Sequence, residues 1–248
     1  MASPYAQDGF GLGFEWGPVG ADVVAGDIVA VVDVLSFTTA VTVAADLGIE
    51  VYPYSWQDET AAAYADKYLA TFAVGRSEAG PEDVSLSPVT IRRVAGVTRL
   101  VLPSPNGSTI SKQLSDTGAT VVAVSLRNRI AAAEWVSKQL EERPTAKVVA
   151  IAAGERWKDG SLRPAVEDLW GAGGFVSALR PNSLSPEARA AAAAYEAVAG
   201  ELPEVLRECA GGRELTQYGY PEDVAIAAEV DESRSVPVLR DGTMFVSL

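Results

Sequence analysis

The feature that most constrains the fold is a regular alternation of short apolar runs with longer stretches of helical character. Six runs have the composition of buried strands: 28–35, 49–54, 71–74, 99–102, 120–126 and 147–152. Helix-like stretches lie between or after most of them: 38–47, 58–69, 109–114, 129–142 and 165–179. Strands that are apolar along their whole length are covered on both faces. The pattern therefore predicts an α/β fold with three layers, α/β/α, around a mainly parallel sheet.

The rest of the chain fits the same plan. An alanine-rich stretch at 186–199 is typical of a helix, and 236–246 has the pattern of a hairpin turning at Asp241-Gly242. Residues 77–88 are rich in Gly, Pro, Ser and acidic residues and are expected to form a long loop. No linker separates two halves, so we expect residues 1–248 to form a single α/β domain.

The charge balance narrows the class of partner. The net charge of −13 argues against nucleic acid or an anionic membrane as the main partner, since both repel an acidic surface. A small anionic ligand would need a local basic pocket or a divalent cation. The single cysteine, Cys209, forms no intramolecular disulfide, and the N-terminal stretch lacks a signal-peptide pattern. We expect a cytoplasmic protein, and a homodimer is the assembly we allow for.

The chain contains no histidine, which excludes several kinds of site. Ser-His-Asp and Cys-His catalysis are impossible, and so is a histidine zinc site. Any metal must be held by oxygen ligands, which favour magnesium, manganese or calcium.

Ligands of such sheets bind beyond the carboxyl ends of strands, near helix N-termini, so functional side chains are expected at the strand-to-helix junctions. In VVDVLSFTTAV, Asp33 follows an apolar strand, Ser36 can cap the next helix, and Thr38 and Thr39 lie in its opening turn. A carboxylate in these surroundings must be paired, hydrogen-bonded or metal-bound. The alternative to a functional role is that Asp33 caps nearby N–H groups.

A second junction, VLPSPNGSTIS, has the chemistry of a phosphate cradle. Gly107 lets the backbone approach a ligand closely, while Asn106, Ser108 and Thr109 supply donors at a helix start. The same letters also describe an ordinary turn with an N-cap. The lysine of a nucleoside-triphosphate P-loop is absent.

A third junction, AAGERWKDGSLRPAVEDLWGAGG, carries a basic cluster of Arg156, Lys158 and Arg163 in an acidic chain. Glu167 and Asp168 follow in the opening turns of a helix, where they either complement the helix dipole or hold a cation. Pro-Glu-Asp also occurs at 81–83 and 221–223, which marks this pairing partly as a helix-start signal.

Taken in order, these stretches resemble the 2-phosphosulfolactate phosphatase family. The pieces that carry the resemblance are VVDVLSFTTAV, VGR at 74–76, LSP at 86–88, LPSPNGSTIS, AAGERWKDGSLRPAVEDLWGAG and YGYPEDVAIAAEVD with a later VP. They span roughly residues 28 to 237. The resemblance implies a three-layer α/β/α fold and a Mg²⁺-dependent acid phosphatase acting on 2-phospho-3-sulfolactate, on a route to coenzyme M.

The resemblance also implies roles for residues of this chain. It makes Asp33, Glu167 and Asp168 catalytic and metal-binding carboxylates and Arg76 an anion clamp. The substrate-binding residues it points to are Arg76, Asn106, Gly107, Ser108 and Thr109, and we add Thr38 and Thr39 from the opening turn of the helix after Asp33. One departure is informative: the family usually has Arg where this chain has Ser36, and a hydroxyl does not replace a bidentate phosphate or sulfonate partner.

The leading hypothesis is therefore a Mg²⁺-dependent phosphomonoester hydrolase acting on a small anionic organic phosphate. The alternative is a non-catalytic phosphate- or sulfonate-binding protein that has lost turnover, motivated by Ser36. A nucleotide-dependent transferase is a weaker alternative, because neither a Walker-type nor a G-x-G-x-x-G loop is present.

Overall fold

The computed structural model describes residues 3–55, 59–179 and 183–248. Its strands are β1 Leu12–Trp16, β2 Ile28–Val32, β3 Glu50–Tyr54, β4 Thr71–Phe72, β5 Arg99–Pro103, β6 Thr120–Val124, β7 Val148–Ala152, β8 Glu155–Arg156, β9 Leu162–Arg163, β10 Pro237–Arg240 and β11 Met244–Ser247. Its helices are α1 Gly17–Val23, α2 Phe37–Asp46, α3 Glu59–Tyr68, α4 Pro88–Arg93, α5 Gly107–Ser115, α6 Arg129–Glu142, α7 Val166–Leu179, α8 Pro186–Glu196, α9 Leu202–Glu208, α10 Ala210–Gln217 and α11 Pro221–Ala227.

Within the described residues, nine strands form one sheet in the order β1-β7-β2-β6-β10-β11-β3-β5-β4. The pairs β1–β7, β2–β7, β2–β6, β3–β5 and β4–β5 are parallel. The hairpin β10–β11 lies between β6 and β3 and pairs antiparallel with both. The sheet is therefore mainly parallel, as predicted, and an antiparallel hairpin joins its two parallel parts. Strands β8 and β9 form a separate small hairpin.

Helices cover the sheet on both faces, which confirms the three-layer α/β/α architecture. Successive side chains of a strand point to opposite faces, and β2 shows this directly. Val29 and Val31 pack in one core with α2 and α5, whereas Ala30 and Val32 pack in the other with α7 and α8. All four are fully buried or nearly so, which explains why this strand is apolar at every position.

The sheet curves around α2 and α5, and this curvature positions the candidate site. Four strands separate β2 from β5, which on a flat sheet would place the two strands about 24 Å apart. Val31 of β2 and Leu102 of β5 nevertheless belong to the same core, and Asp33 just after β2 contacts Gly107 just after β5. Two distant strand-to-helix junctions therefore meet.

The structure corrects some boundaries. Strand β2 ends at Val32 rather than 35, because the N–H of Val34 donates to a carboxylate instead of to a neighbouring strand. The Pro81-Glu82-Asp83 segment is a turn and not a helix start. Strand β1 and helices α9 and α10 have no counterpart among the predicted elements. Among the described residues, no helix has the length and hydropathy needed to cross a membrane.

Candidate active site

Asp33, the residue directly after β2, lies where α2 and α5 begin. Its Oδ1 accepts a hydrogen bond from the N–H of Phe37 at 3.2 Å, and its Oδ2 accepts one from the N–H of Gly107 at 2.9 Å. These are the first residues of two helices, whose N-terminal amides stabilise negative charge. Burial raises the pKa of Asp33, while the two amides and the Arg76 guanidinium lower it in part. The capping interpretation of Asp33 thus describes its bonds correctly.

Asp168 in the first turn of α7 brings a third junction to the same place. Its Oδ1 accepts from the N–H of Val34 at 2.7 Å, and its Oδ2 accepts from the N–H of Gly154 at 2.9 Å. Burial, followed by the charges of Asp33 and Glu167, raises the pKa of Asp168 well above its ordinary value. The negative charges of Asp33, Glu167 and Asp168 therefore repel one another, and this repulsion favours the binding of a proton or a cation among them.

Glu167, the neighbouring acid, carries a buried oxygen whose hydrogen-bonding capacity is not used within the described residues. The side chain is 2 % exposed, and its Oε2 has no hydrogen-bond partner among the described residues. Buried carboxylate oxygens without a partner are rare in native proteins. Gly211 packs so closely that a Cβ there would lie 2.1 Å from Glu167 Oε1. Burial and then the charge of Glu167 raise the pKa of the adjacent Cys209 thiol to about 12, so this cysteine is unreactive.

A cavity of about 900 Å³ opens in front of Glu167. Its lining includes four cationic side chains: Arg76, Arg156, Lys158 and Arg163. Three of them lie in or next to the β8–β9 hairpin, at the positions of the basic cluster in the sequence. Glu155, Glu167 and Glu214 also line the cavity, so it combines carboxylates with the positive charge that an anionic ligand requires in a chain of net charge −13.

Glu155 of β8 also lines the cavity and has an unusual environment. Its Oε2 accepts a hydrogen bond from the Asn106 side-chain amide at 3.0 Å. Burial, and next the charge of Asp33, raises the pKa of Glu155 to about 7. The chain has no histidine, so among the described residues of the cavity Glu155 is the side chain suited to exchange a proton near neutral pH. Sequence reasoning missed it, because Glu155 stands beside the basic residues of its loop and no local pattern marks it as buried.

Arg76 reaches the cavity from the loop after β4, and its role as an anion clamp stays a prediction. Its Nε donates to Asp223 Oδ2 at 3.1 Å, and its Nη2 donates to Ser36 Oγ at 2.6 Å. The guanidinium also lies over the Tyr220 ring, 5.8 Å from its centroid. Asp223 is a second residue that sequence reasoning missed. The Pro-Glu-Asp segment was interpreted as a helix start, although YGYPED belonged to the resemblance.

The threonines predicted to bind substrate support the Asp33 turn instead. The Thr38 hydroxyl donates to the carbonyl of Asp33 at 2.8 Å and accepts from its N–H at 3.0 Å. The Thr39 hydroxyl donates to the carbonyl of Val34 at 2.7 Å. Both threonines are fully buried, so contact between them and a substrate stays a prediction.

Donors of the predicted phosphate cradle also form hydrogen bonds within the protein. The N–H of Gly107 donates to Asp33, and the Ser108 hydroxyl donates to the carbonyl of Leu102 at 3.0 Å. Thr109 Oγ1 is buried and has no hydrogen-bond partner in the part of the chain that the structure describes. Asn106 contacts the cavity through Glu155. The structure thus gives these residues a role in holding the carboxylates, and their contact with a phosphate stays a prediction.

The fit of the acidic residues to a divalent cation can be judged from their oxygens. Residues 3–55, 59–179 and 183–248 contain no group of three Asp, Glu, Cys or His side chains arranged to hold a metal on their own. Both oxygens of Asp33 and both oxygens of Asp168 accept hydrogen bonds from backbone amides, whereas Glu167 Oε2 has no partner among these residues. Mg²⁺ commonly takes only one or two carboxylates and completes its shell with waters and phosphate oxygens. A cation here would therefore take few ligands from these residues, and the binding of Mg²⁺ stays a prediction.

Sequence comparisons find related proteins over most of the chain. The family model for 2-phosphosulpholactate phosphatase matches residues 20–242. A probable 2-phosphosulfolactate phosphatase of Thermus thermophilus is 31% identical over 223 residues, covering 86% of this chain and 88% of the relative. A probable 2-phosphosulfolactate phosphatase of Deinococcus radiodurans is 28% identical over 225 residues, covering 87% and 89%.

Proposed function

Because this chain belongs to the 2-phosphosulpholactate phosphatase family and is thus a phosphoric monoester hydrolase, we propose that it hydrolyses a small anionic phosphomonoester with the help of Mg²⁺. The first substrate to test is 2-phospho-3-sulfolactate, which would give 3-sulfolactate and phosphate. One observation carries the proposal. A cavity lined by Arg76, Arg156, Lys158 and Arg163 adjoins buried carboxylates in a chain that is otherwise strongly acidic.

The cationic side chains would bind the substrate from two sides. Arg76 reaches the cavity from the loop after β4, beside Ser36, and would hold one oxyanion group. Arg156, Lys158 and Arg163 come from the β8–β9 hairpin and would hold the second. Guanidinium groups bind phosphate and sulfonate oxygens through paired N–H donors, so this arrangement favours a substrate with two anionic groups.

The carboxylates would supply proton transfer and cation binding. Water would attack phosphorus and lose one proton to solvent, the ester P–O bond would break, and Glu155 in its protonated form would donate a proton to the leaving oxygen and regain one from solvent. Asp33 and Glu167 would hold Mg²⁺, which neutralises phosphoryl oxygens and makes water a better nucleophile. Asp168 would keep the backbone of Val34 and Gly154 in place through its two hydrogen bonds.

A second candidate function is phosphate or sulfonate binding without turnover. It is favoured by the observation that Asp33 already occupies the amides of Phe37 and Gly107, which a phosphate could otherwise use. The position of Ser36, where the family usually has Arg, points the same way.

Phosphate release separates the two candidates. The enzyme should release phosphate from 2-phospho-3-sulfolactate or another member of a panel of small phosphomonoesters, with Mg²⁺ and not with EDTA. Calorimetry with the same compounds reports binding independently of turnover. Binding without release from any panel member would favour the non-catalytic protein, and undiminished release in EDTA would eliminate the role of Mg²⁺.

Location, assembly and domain organisation belong to the same proposal. We place the enzyme in the cytoplasm as a single domain and allow for a homodimer, with no nucleic-acid partner. We expect cell fractionation to find the protein in the cytoplasm, and light scattering would test for the homodimer. Unfolding should occur in one cooperative transition, and the protein should not bind DNA.

A further inference from the structure

Four pieces of the chain meet around the ion pair of Arg76 with Asp223. They are the turn after β2 with Ser36, the loop after β4 with Arg76 itself, the N-cap of α4 with Ser87, and the first turn of α11 with Asp223. The sequence separation between Arg76 and Asp223 is 147 residues. Nothing in the hydrophobic pattern requires these polar side chains to converge.

Asp223 is the centre of this group. It is 1 % exposed, and each of its oxygens has a partner: Oδ2 accepts from Arg76 Nε at 3.1 Å, and Oδ1 accepts from the Ser87 hydroxyl. A buried carboxylate is tolerated only when charge and hydrogen bonds satisfy it, and here an arginine and a hydroxyl do so. The carboxylate is therefore held from one side by Ser87 and holds Arg76 on the other.

The orientation of Arg76 follows from these bonds. An arginine side chain has many rotamers, and ordering it without a partner is unfavourable. The bond from Nε to Asp223, the bond from Nη2 to Ser36 Oγ and the Tyr220 ring under the guanidinium restrict those rotamers. Two of the five N–H donors of the guanidinium are used in this way. The cation is thus ordered in advance at the edge of the cavity.

We propose that Asp223 is a positioning residue that holds Arg76 in the geometry that binds an oxyanion group of the substrate. This inference rests on the proposed function, because it concerns the same cavity. Asp223 itself does not line the large cavity; it lines a smaller one of about 300 Å³ that also includes Arg76, so it would act on a ligand of the large cavity through Arg76. Because the guanidinium is ordered in advance, less entropy is lost when an anion binds. Removal of the Asp223 carboxylate should therefore weaken the affinity of the protein for an anion.

The test is a double-mutant cycle read by the affinity for inorganic phosphate. Calorimetry would measure the dissociation constant of phosphate for the Mg²⁺-loaded wild type, Asp223→Asn, Arg76→Ala and the double variant. We expect Asp223→Asn to weaken phosphate binding about tenfold and the KM of any hydrolysed ester in parallel, with a smaller change in kcat. In the Arg76→Ala background the same substitution should have little further effect, because the residue it positions is gone.

Asp231 offers a matched control. It forms a partly buried ion pair with Arg129 at 2.7 Å, away from the cavity lining. Asp231→Asn should lower stability while leaving phosphate affinity unchanged. If Asp223→Asn binds phosphate as the wild type does, or if its effect adds in full to that of Arg76→Ala, the positioning role is refuted.

Three further results would bear on the positioning role of Asp223. If Asp223→Asn does not fold, as shown by the loss of its cooperative unfolding transition, Ser87→Ala replaces it in the test. This variant removes the hydrogen bond that the Ser87 hydroxyl donates to Asp223. Weaker phosphate binding by about threefold in Ser87→Ala then supports the inference, and unchanged binding overturns it. A wild type that binds phosphate but hydrolyses no ester would contradict the proposed function and leave the cycle informative. Turnover with an unaffected Asp223→Asn would contradict the positioning role alone.

Discussion

Replacing Glu155 by Gln should make the protein more stable at neutral pH and less active. Gln keeps the shape of the side chain and an oxygen that can accept from Asn106, but it cannot ionise. Burial, followed by the charge of Asp33, raises the pKa of Glu155 from the ordinary 4.5 to about 7. The folded protein therefore opposes ionisation at this position.

The magnitude follows from proton linkage. A carboxyl with a raised pKa in the folded state contributes full stability below pH 4.5 and loses it as the pH rises to about 7. The difference between the two pKa values, about 2.5, corresponds to roughly 3 kcal/mol at 1.36 kcal/mol per unit of pKa. Because the side chain is only half-buried in the structure, solvent screening makes this an upper value.

Urea unfolding of the metal-free protein in EDTA, followed by circular dichroism from pH 4 to 8, measures this directly. The wild type should lose up to about 3 kcal/mol more than Glu155→Gln between about pH 4.5 and 7. Glu214→Gln, an exposed change in the lining of the same cavity, should stay within about 0.5 kcal/mol of the wild type. Phosphatase activity of Glu155→Gln should fall by about 10²- to 10⁴-fold. A difference between wild type and Glu155→Gln that does not change with pH would refute the reasoning.

Three other outcomes are expected. Gly107→Ala would place a methyl group 2.4 Å from Phe37 Cδ1, so the free energy of unfolding should fall by about 2 kcal/mol in urea titrations. Gly200→Ala, which has open space around it, should stay within about 0.5 kcal/mol of the wild type. Gly211→Ala would displace Glu167, so kcat/KM should fall about tenfold or more while circular dichroism is unchanged; full activity would contradict the role of Glu167. EDTA should abolish phosphate release, and added Mg²⁺ should restore it.

Local sequence patterns are sufficient to predict a helix or strand whose own residues favour that structure. Helix α6 spans Arg129–Glu142, the range that the sequence predicts, because this stretch has helix formers and no interior Gly or Pro. The core strand β2 was found by its continuous apolar run. Strand β1 was missed, since Gly13 and Glu15 interrupt its apolar pattern.

The candidate site was predictable in outline and not in detail. The rule that ligands bind beyond strand ends led to Asp33, Asn106 and Glu167, and the structure brings their junctions together. The bond between Asp33 and Gly107 depends on the curvature of the whole sheet, which no local pattern encodes. Similarly, the pairing of Arg76 with Asp223 depends on long-range packing.

The most direct test of the central claim is a crystal structure of the protein soaked with MgCl₂ and inorganic phosphate. The account predicts a phosphate in the large cavity, within hydrogen-bond distance of Arg76 and facing Glu155, with the cation between the phosphate and Glu167. Phosphate bound only outside this cavity, or an empty cavity at saturating phosphate, would contradict the account.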